Sequence, residues 1–189
     1  MSKILVLDDI IPEYIQDRIY HDCLIDSNVP YFYNSKISNK ENDTQYGFGL
    51  NLFMDRDLCH TKTDHFFKFM QVPYLVINHL GLILNRIYMS RVFLQPSIPN
   101  FIKTDGGIHV DLDFPHEVCL YYVNDTDGDT VFYDNDNNEI KRISPKKGRV
   151  AFFDGQIKHS ATPPSKGVRI VINTCIQTFT SKLGEEKKN

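Results

Sequence analysis

Gly128-Asp129-Thr130-Val131-Phe132-Tyr133, then Ile143-Ser144-Pro145-Lys146-Lys147-Gly148-Arg149-Val150-Ala151-Phe152-Phe153-Asp154, then Gly167-Val168-Arg169-Ile170-Val171-Ile172-Asn173-Thr174, decide the fold. Each run is rich in β-branched and aromatic residues and is bounded by Gly, Pro and Asp. That is the signature of short strands joined by tight turns. Outward from these runs the same pattern predicts strands over 87–94, 118–123, 130–133, 139–143, 149–153 and 168–178. Many short strands with such punctuation suggest a sandwich or jelly roll. The N-terminal part differs. Residues 3–7 and 31–34 read as short strands and 47–53 as another. A helix is predicted from Pro12 to about Ile25, capped by Asp8 or Asp9, with Ile15, Ile19 and Cys23 on its buried side. Residues 64–84 carry apolar side chains at helical spacing, and Pro73 is expected to split them into two helices. The fold class is therefore mostly β with N-terminal helices (α+β).

The chemistry is concentrated in His109-Val110-Asp111, His159 and Arg169. On an extended strand, residues two apart leave the backbone on the same face, so His109 and Asp111 would lie side by side. His159 is far enough along the chain to return on a neighbouring strand. Two imidazoles and one carboxylate are the facial triad of non-haem Fe(II) oxygenases, which keeps coordination positions open. Arg169 stands in a run whose residues alternate between two faces. Val168, Ile170, Ile172 and Thr174 form one face, and Arg169, Val171, Asn173 and Cys175 the other. A guanidinium pointing inward from such a strand needs an anion.

Together with the quoted runs and their order, these residues resemble the catalytic half of the prolyl 4-hydroxylase-like branch of the 2-oxoglutarate and Fe(II)-dependent dioxygenases. The resemblance covers about residues 86–178 and is nearest to short phage-encoded members. It implies a double-stranded β-helix (jelly-roll) core braced by the N-terminal helices. It implies His109, Asp111 and His159 as Fe(II) ligands and Arg169 on the distal carboxylate of the cosubstrate 2-oxoglutarate. Cys119-Leu120-Tyr121-Tyr122-Val123-Asn124 is similar to the strand after the first motif in oxygen-sensing prolyl hydroxylases, which gives Tyr122 a cosubstrate role. Gln95 falls where many relatives carry a cosubstrate-binding Tyr, and Thr130 matches the Thr of a Gly-Glu-Thr-x-Phe-like motif. The implied reaction uses O₂, with ascorbate as reductant, and releases succinate and CO₂. It hydroxylates a substrate, by analogy a peptidyl prolyl or other protein residue. Halogenating relatives lack the carboxylate ligand that Asp111 provides. Nucleic-acid demethylating relatives carry a second Arg where this chain has Cys175. An alternative reading is a non-catalytic β-helix binding module that retains the metal site.

The remaining features bound the partners and the setting. The chain has 189 residues, an apolar fraction of 41% and a net charge of −3, as expected of one domain with its own core and no nucleic-acid partner. Within it, 1–85 supply strands and bracing helices, 86–178 the catalytic half, and 181–189 a frayed tail. Neither a signal peptide nor an apolar stretch of membrane-spanning length is read, so a cytoplasmic location is expected, the host cytosol for a phage-encoded chain. Cys23, Cys59, Cys119 and Cys175 are scattered and read as reduced core thiols. The Asp-rich runs at 125–129 and 134–138 read as solvated turns, lacking the spacing of a calcium loop. Arg149 and Asp154 are expected to make structural hydrogen bonds. Residues 35–46 are polar and are expected to form a lid over the metal pocket.

Overall fold

A computed structural model describes residues 4–26, 28–36, 45–54, 57–58, 63–99 and 107–180. In chain order these give β1 (Ile4–Leu7), α1 (Glu13–Tyr20) with a π-helical turn (His21–Ile25), β2 (Phe32–Asn34), β3 (Gly47–Met54) and β4 (Asp57–Leu58). Then come α2 (Thr63–Phe69), α3 (Gln71–His79), β5 (Leu82–Pro96), β6 (Glu117–Tyr122), β7 (Thr130–Tyr133), β8 (Glu139–Ile143), β9 (Val150–Asp154), β10 (Lys158–Ala161) and β11 (Val168–Thr180). The larger sheet runs β1-β9-β6-β11-β5-β3-β2, with β4 paired to β3. The smaller runs β10-β7-β8, and an antiparallel bridge between His109 and His159 adds residue 109 beside β10. From β5 onward the chain passes back and forth between the sheets, with β5, β6, β9 and β11 in the larger and residue 109, the β7–β8 hairpin and β10 in the smaller, the arrangement of a double-stranded β-helix.

Alternation along the strands sorts the side chains into two cores. Tyr121, Ile170 and Ile172 face the helices and pack with Ile15, Ile19, Phe69 and Val76. Tyr122, Val171 and Cys175 face the space between the sheets, with Leu120, Phe132 and Phe153. The helices therefore brace the outer face of the larger sheet and leave its inner face for the site. Cys23, Cys119 and Cys175 are buried free thiols, as expected. Cys59 lies outside the described residues, as do 37–44 of the expected lid and the tail from 181.

Three local expectations are corrected. The helical region breaks at Met70, not at Pro73. Pro73 sits in the first turn of α3, where its missing N–H costs nothing. Helix does not reach Leu84: Gly81 takes φ +65, ends α3, and lets β5 begin at Leu82. Finally, neither Asp8 nor Asp9 caps α1, whose N-cap is Pro12 without a side-chain hydrogen bond. Asp8 instead accepts two hydrogen bonds from Arg149, at 2.8 and 2.9 Å, which ties the loop after β1 to the start of β9.

Candidate active site

The bridge between residues 109 and 159 is the frame of the site. Each backbone N–H donates to the other's carbonyl at 2.9 Å, so the two histidines leave the smaller sheet side by side, with ring centroids 4.7 Å apart. His109 Nδ1 donates to Gly107 O at 2.8 Å, and His159 Nδ1 donates to Ile157 O at 3.0 Å. A carbonyl can only accept, so in each neutral ring the proton sits on Nδ1 and the lone pair on Nε2. Both Nε2 atoms turn toward Asp111: His159 Nε2 is 3.5 Å from Oδ2 and His109 Nε2 is 3.9 Å from Oδ1. The donor atoms of all three residues lie within 4.8 Å of one another. The donor chemistry fits a divalent first-row metal with open positions. The His159 ring is fixed further by Phe153, packed edge-on at 5.2 Å.

Asp111 is held from behind. Asn173 Nδ2 donates to both of its oxygens at 3.1 Å, and Arg91 Nη2 donates to Oδ1 at 3.1 Å. Burial alone would push its pKa up. The hydrogen bond and charge that His159 offers when protonated, with the charge of Arg91 and that of a protonated His109, outweigh that and keep the carboxyl well below the usual carboxylate range. Burial, reinforced by the neighbouring His159, lowers His109 to about 4. Both groups are thus in the protonation state that a metal requires at neutral pH.

A narrow cavity of about 60 Å³ joins His109 and His159 to Arg169. A larger groove of about 540 Å³, lined in part by Leu5, Leu80 and Phe152, contains none of the three donors. The donors, not the volume, identify the site. Arg169 is only 3% exposed. Its Nε donates to Gly128 O and its Nη2 to Thr130 Oγ1, both at 2.8 Å, and it has no ion-pair partner among the described residues. Gly128 is required there, because a Cβ would sit 2.8 Å from Thr162 O and 3.0 Å from the Arg169 side chain. Tyr122 donates to Thr130 Oγ1 at 2.8 Å, and its ring lies 5.7 Å from the guanidinium carbon. Tyr121 points the other way, into the helix-facing core.

Gln95, fully buried, sits across the β5–β11 pair from Arg169. Its Nε2 donates to Gln45 at 2.5 Å, and its Oε1 has no partner among the described residues. Of the seven sequence-predicted site residues, His109, His159, Thr130 and Arg169 line the cavity, while Asp111 lies against both histidines, Tyr122 bonds to Thr130 and Gln95 pairs across β5–β11 with Arg169. Sequence reasoning missed Arg91 and the use of Asn173. A charged residue two before Phe93 and four before Gln95, on the same face of β5, was the signal available.

The fold is a double-stranded β-helix in which two imidazoles and a carboxylate come together. Residues 104–177 match the model of the 2OG-Fe(II) oxygenase superfamily, which points to a 2-oxoglutarate-dependent oxygenase, and that family implies Fe(II) and 2-oxoglutarate. Prolyl 4-hydroxylases are among the proteins whose fold it shares. Solved structures agree at the level of fold. An oxidoreductase of the 2OG-Fe(II) oxygenase family from Burkholderia pseudomallei superposes with a TM-score of 0.70 at 12% identity, over 92% of this chain and 84% of that one. A Trichoplax adhaerens prolyl hydroxylase, in complex with a hypoxia inducible factor peptide fragment, gives 0.61 at 14%, over 92% and 82%. HygX from Streptomyces hygroscopicus, with nickel and 2-oxoglutarate bound, gives 0.60 at 9%, over 96% and 84%. A comparison with curated proteins finds no match. No helix among the described residues is long and apolar enough to cross a membrane.

Proposed function

We propose that His109, Asp111 and His159 hold a catalytic Fe(II), and that Arg169, Tyr122, Thr130 and Gln95 form the 2-oxoglutarate pocket. The reaction would hydroxylate a prolyl or other residue of a peptide or protein, releasing succinate and CO₂. One observation carries this reading: three donors of the right kind converge, two of them line a cavity that Arg169 also lines, and Arg169 is buried with no ion-pair partner among the described residues. With 2-oxoglutarate and O₂, the bound metal would supply the oxidising power, and ascorbate would keep it reduced.

The rest is the work of the chain. The Nδ1–H bonds to Gly107 and Ile157 hold both imidazoles in the ligating tautomer. Asn173 and Arg91 are positioning residues that fix the Asp111 carboxylate. Arg169 offers a planar cation to a carboxylate, in a pocket dry enough to make that pair strong. Tyr122 and Thr130 hold the guanidinium and present hydroxyls beside it. The likeness to prolyl hydroxylase folds supports a peptide as the substrate class. The test is incubation of the full chain with Fe(II), 2-oxoglutarate, ascorbate and a library of proline-containing peptides. Peptide mass gain of one oxygen, matched by succinate, is expected. Succinate release with every peptide unmodified would refute the peptide substrate while leaving the oxygenase reading in place.

A further inference from the structure

Arg91 is a second cation at the same cavity, and the metal and cosubstrate leave it uncompensated. It lines the cavity with His109, His159 and Arg169. Its side chain is 29% exposed, whereas Asp111, its partner, is 1% exposed. Its Nε is buried with no partner among the described residues. The charges add simply. Arg91 and Arg169 bring two positive charges and Asp111 one negative, which leaves plus one. A divalent metal and dianionic 2-oxoglutarate cancel each other, so the loaded site also carries plus one. No carboxylate other than that of Asp111 contacts Arg91 among the described residues. An unbalanced cation at a half-buried site is costly, and an incoming anion relieves it.

We propose that Arg91 is a specificity-determining residue that recognises a carboxylate on the substrate, close to the carbon to be oxidised. The inference rests on the Fe(II) and 2-oxoglutarate reading above. A carboxylate fits better than a phosphate, because a single planar guanidinium with one edge already on Asp111 matches one planar monoanion. The carboxylate belongs either to a small acid or to an acidic side chain of a peptide.

The test uses calorimetry on the full chain loaded with Ni(II) and 2-oxoglutarate, a complex inert to O₂. Loading is measured first; failure to bind both in one-to-one ratio would defeat the reading on which this inference rests. The loaded protein is then titrated with N-acetyl-L-prolinate against N-acetyl-L-prolinamide, with acetyl-Glu-Pro-Gly-amide against acetyl-Gln-Pro-Gly-amide, and with inorganic phosphate. At least one anionic probe should bind about tenfold or more tighter than its neutral twin. The pair that responds tells a small acid from an acidic peptide. Arg91→Gln should abolish the difference, and Arg91→Lys should keep it at weaker affinity. Equal binding within both pairs, no saturable binding of either carboxylate probe, tighter binding of phosphate, or a preference that survives in Arg91→Gln each overturns the proposal. If Arg91→Gln does not hold metal, the Lys variant decides: undiminished affinity for the anionic probe overturns it.

Discussion

Arg169 is 3% exposed inside a β-sheet, and among the described residues its hydrogen-bond partners are neutral oxygens, those of Gly128 and Thr130. Such a residue costs stability unless a ligand's anion joins it. Arg169→Lys keeps the charge but loses the fork, so 2-oxoglutarate should bind about 10- to 100-fold more weakly by calorimetry. Unchanged affinity in Arg169→Ala would remove Arg169 from the pocket. His109 makes a different prediction. An unfolded histidine titrates near pH 6.5, while burial and His159 lower His109 to about 4 in the folded chain. Between those values the unfolded state binds the extra proton. The stability of the metal-free protein should therefore rise with pH from about 4 to 6.5, by on the order of 3 kcal/mol from this residue. Denaturant titrations of wild type and His109→Gln across that range check this, and the variant should lose the slope. The donor residues were legible by chemical type and spacing, although the strand expected to carry both His109 and Asp111 is only a single bridge at His109, with Asp111 in a bend after it. Arg91 was not, although it stands in the run 87–94: the reasoning that singled out Arg169 as an inward cation applied to it equally.

At the scale of elements, β11 organises the molecule. It pairs with β5 along one edge and with β6 along the other, and its two faces serve different cores. Ile170 and Ile172 close the helix-facing core, while Arg169, Val171 and Asn173 line the cavity. Ile172 is 1% exposed, so Ile172→Ala should cost about 2–5 kcal/mol of unfolding free energy, measured by denaturant titration. The strands of this half were readable because period-two alternation and turn residues agreed. The helices were harder to bound. Apolar side chains continue from Phe66 through Leu84 at a spacing that suits a helix, so periodicity does not mark where the helix stops. The backbone freedom of Gly81 decides that, and the first-turn position of Pro73 removes its power to break the helix. The cap expected of Asp8 failed because Arg149, distant in sequence, claims the carboxylate. A local pattern cannot register such a partner.

For the whole molecule, the two sheets hold the chemistry between them and the N-terminal part closes the outside. β1 adds an edge to β9, and the Asp8–Arg149 pair fastens it with two parallel hydrogen bonds. The pair is partly exposed and screened, so Arg149→Ala should cost only about 1 kcal/mol and leave metal binding intact, as denaturation and metal titration would show. The central claim is that the cavity between the sheets runs Fe(II)-dependent oxidation of 2-oxoglutarate through His109, Asp111 and His159. Succinate formation by the full chain, with Fe(II), ascorbate and 2-oxoglutarate in air, tests it most directly, because uncoupled turnover needs no substrate. The account predicts succinate from the wild type, dependent on added iron, and none above background from His159→Ala. No iron-dependent succinate from folded wild type, or equal amounts from folded His159→Ala, would contradict it.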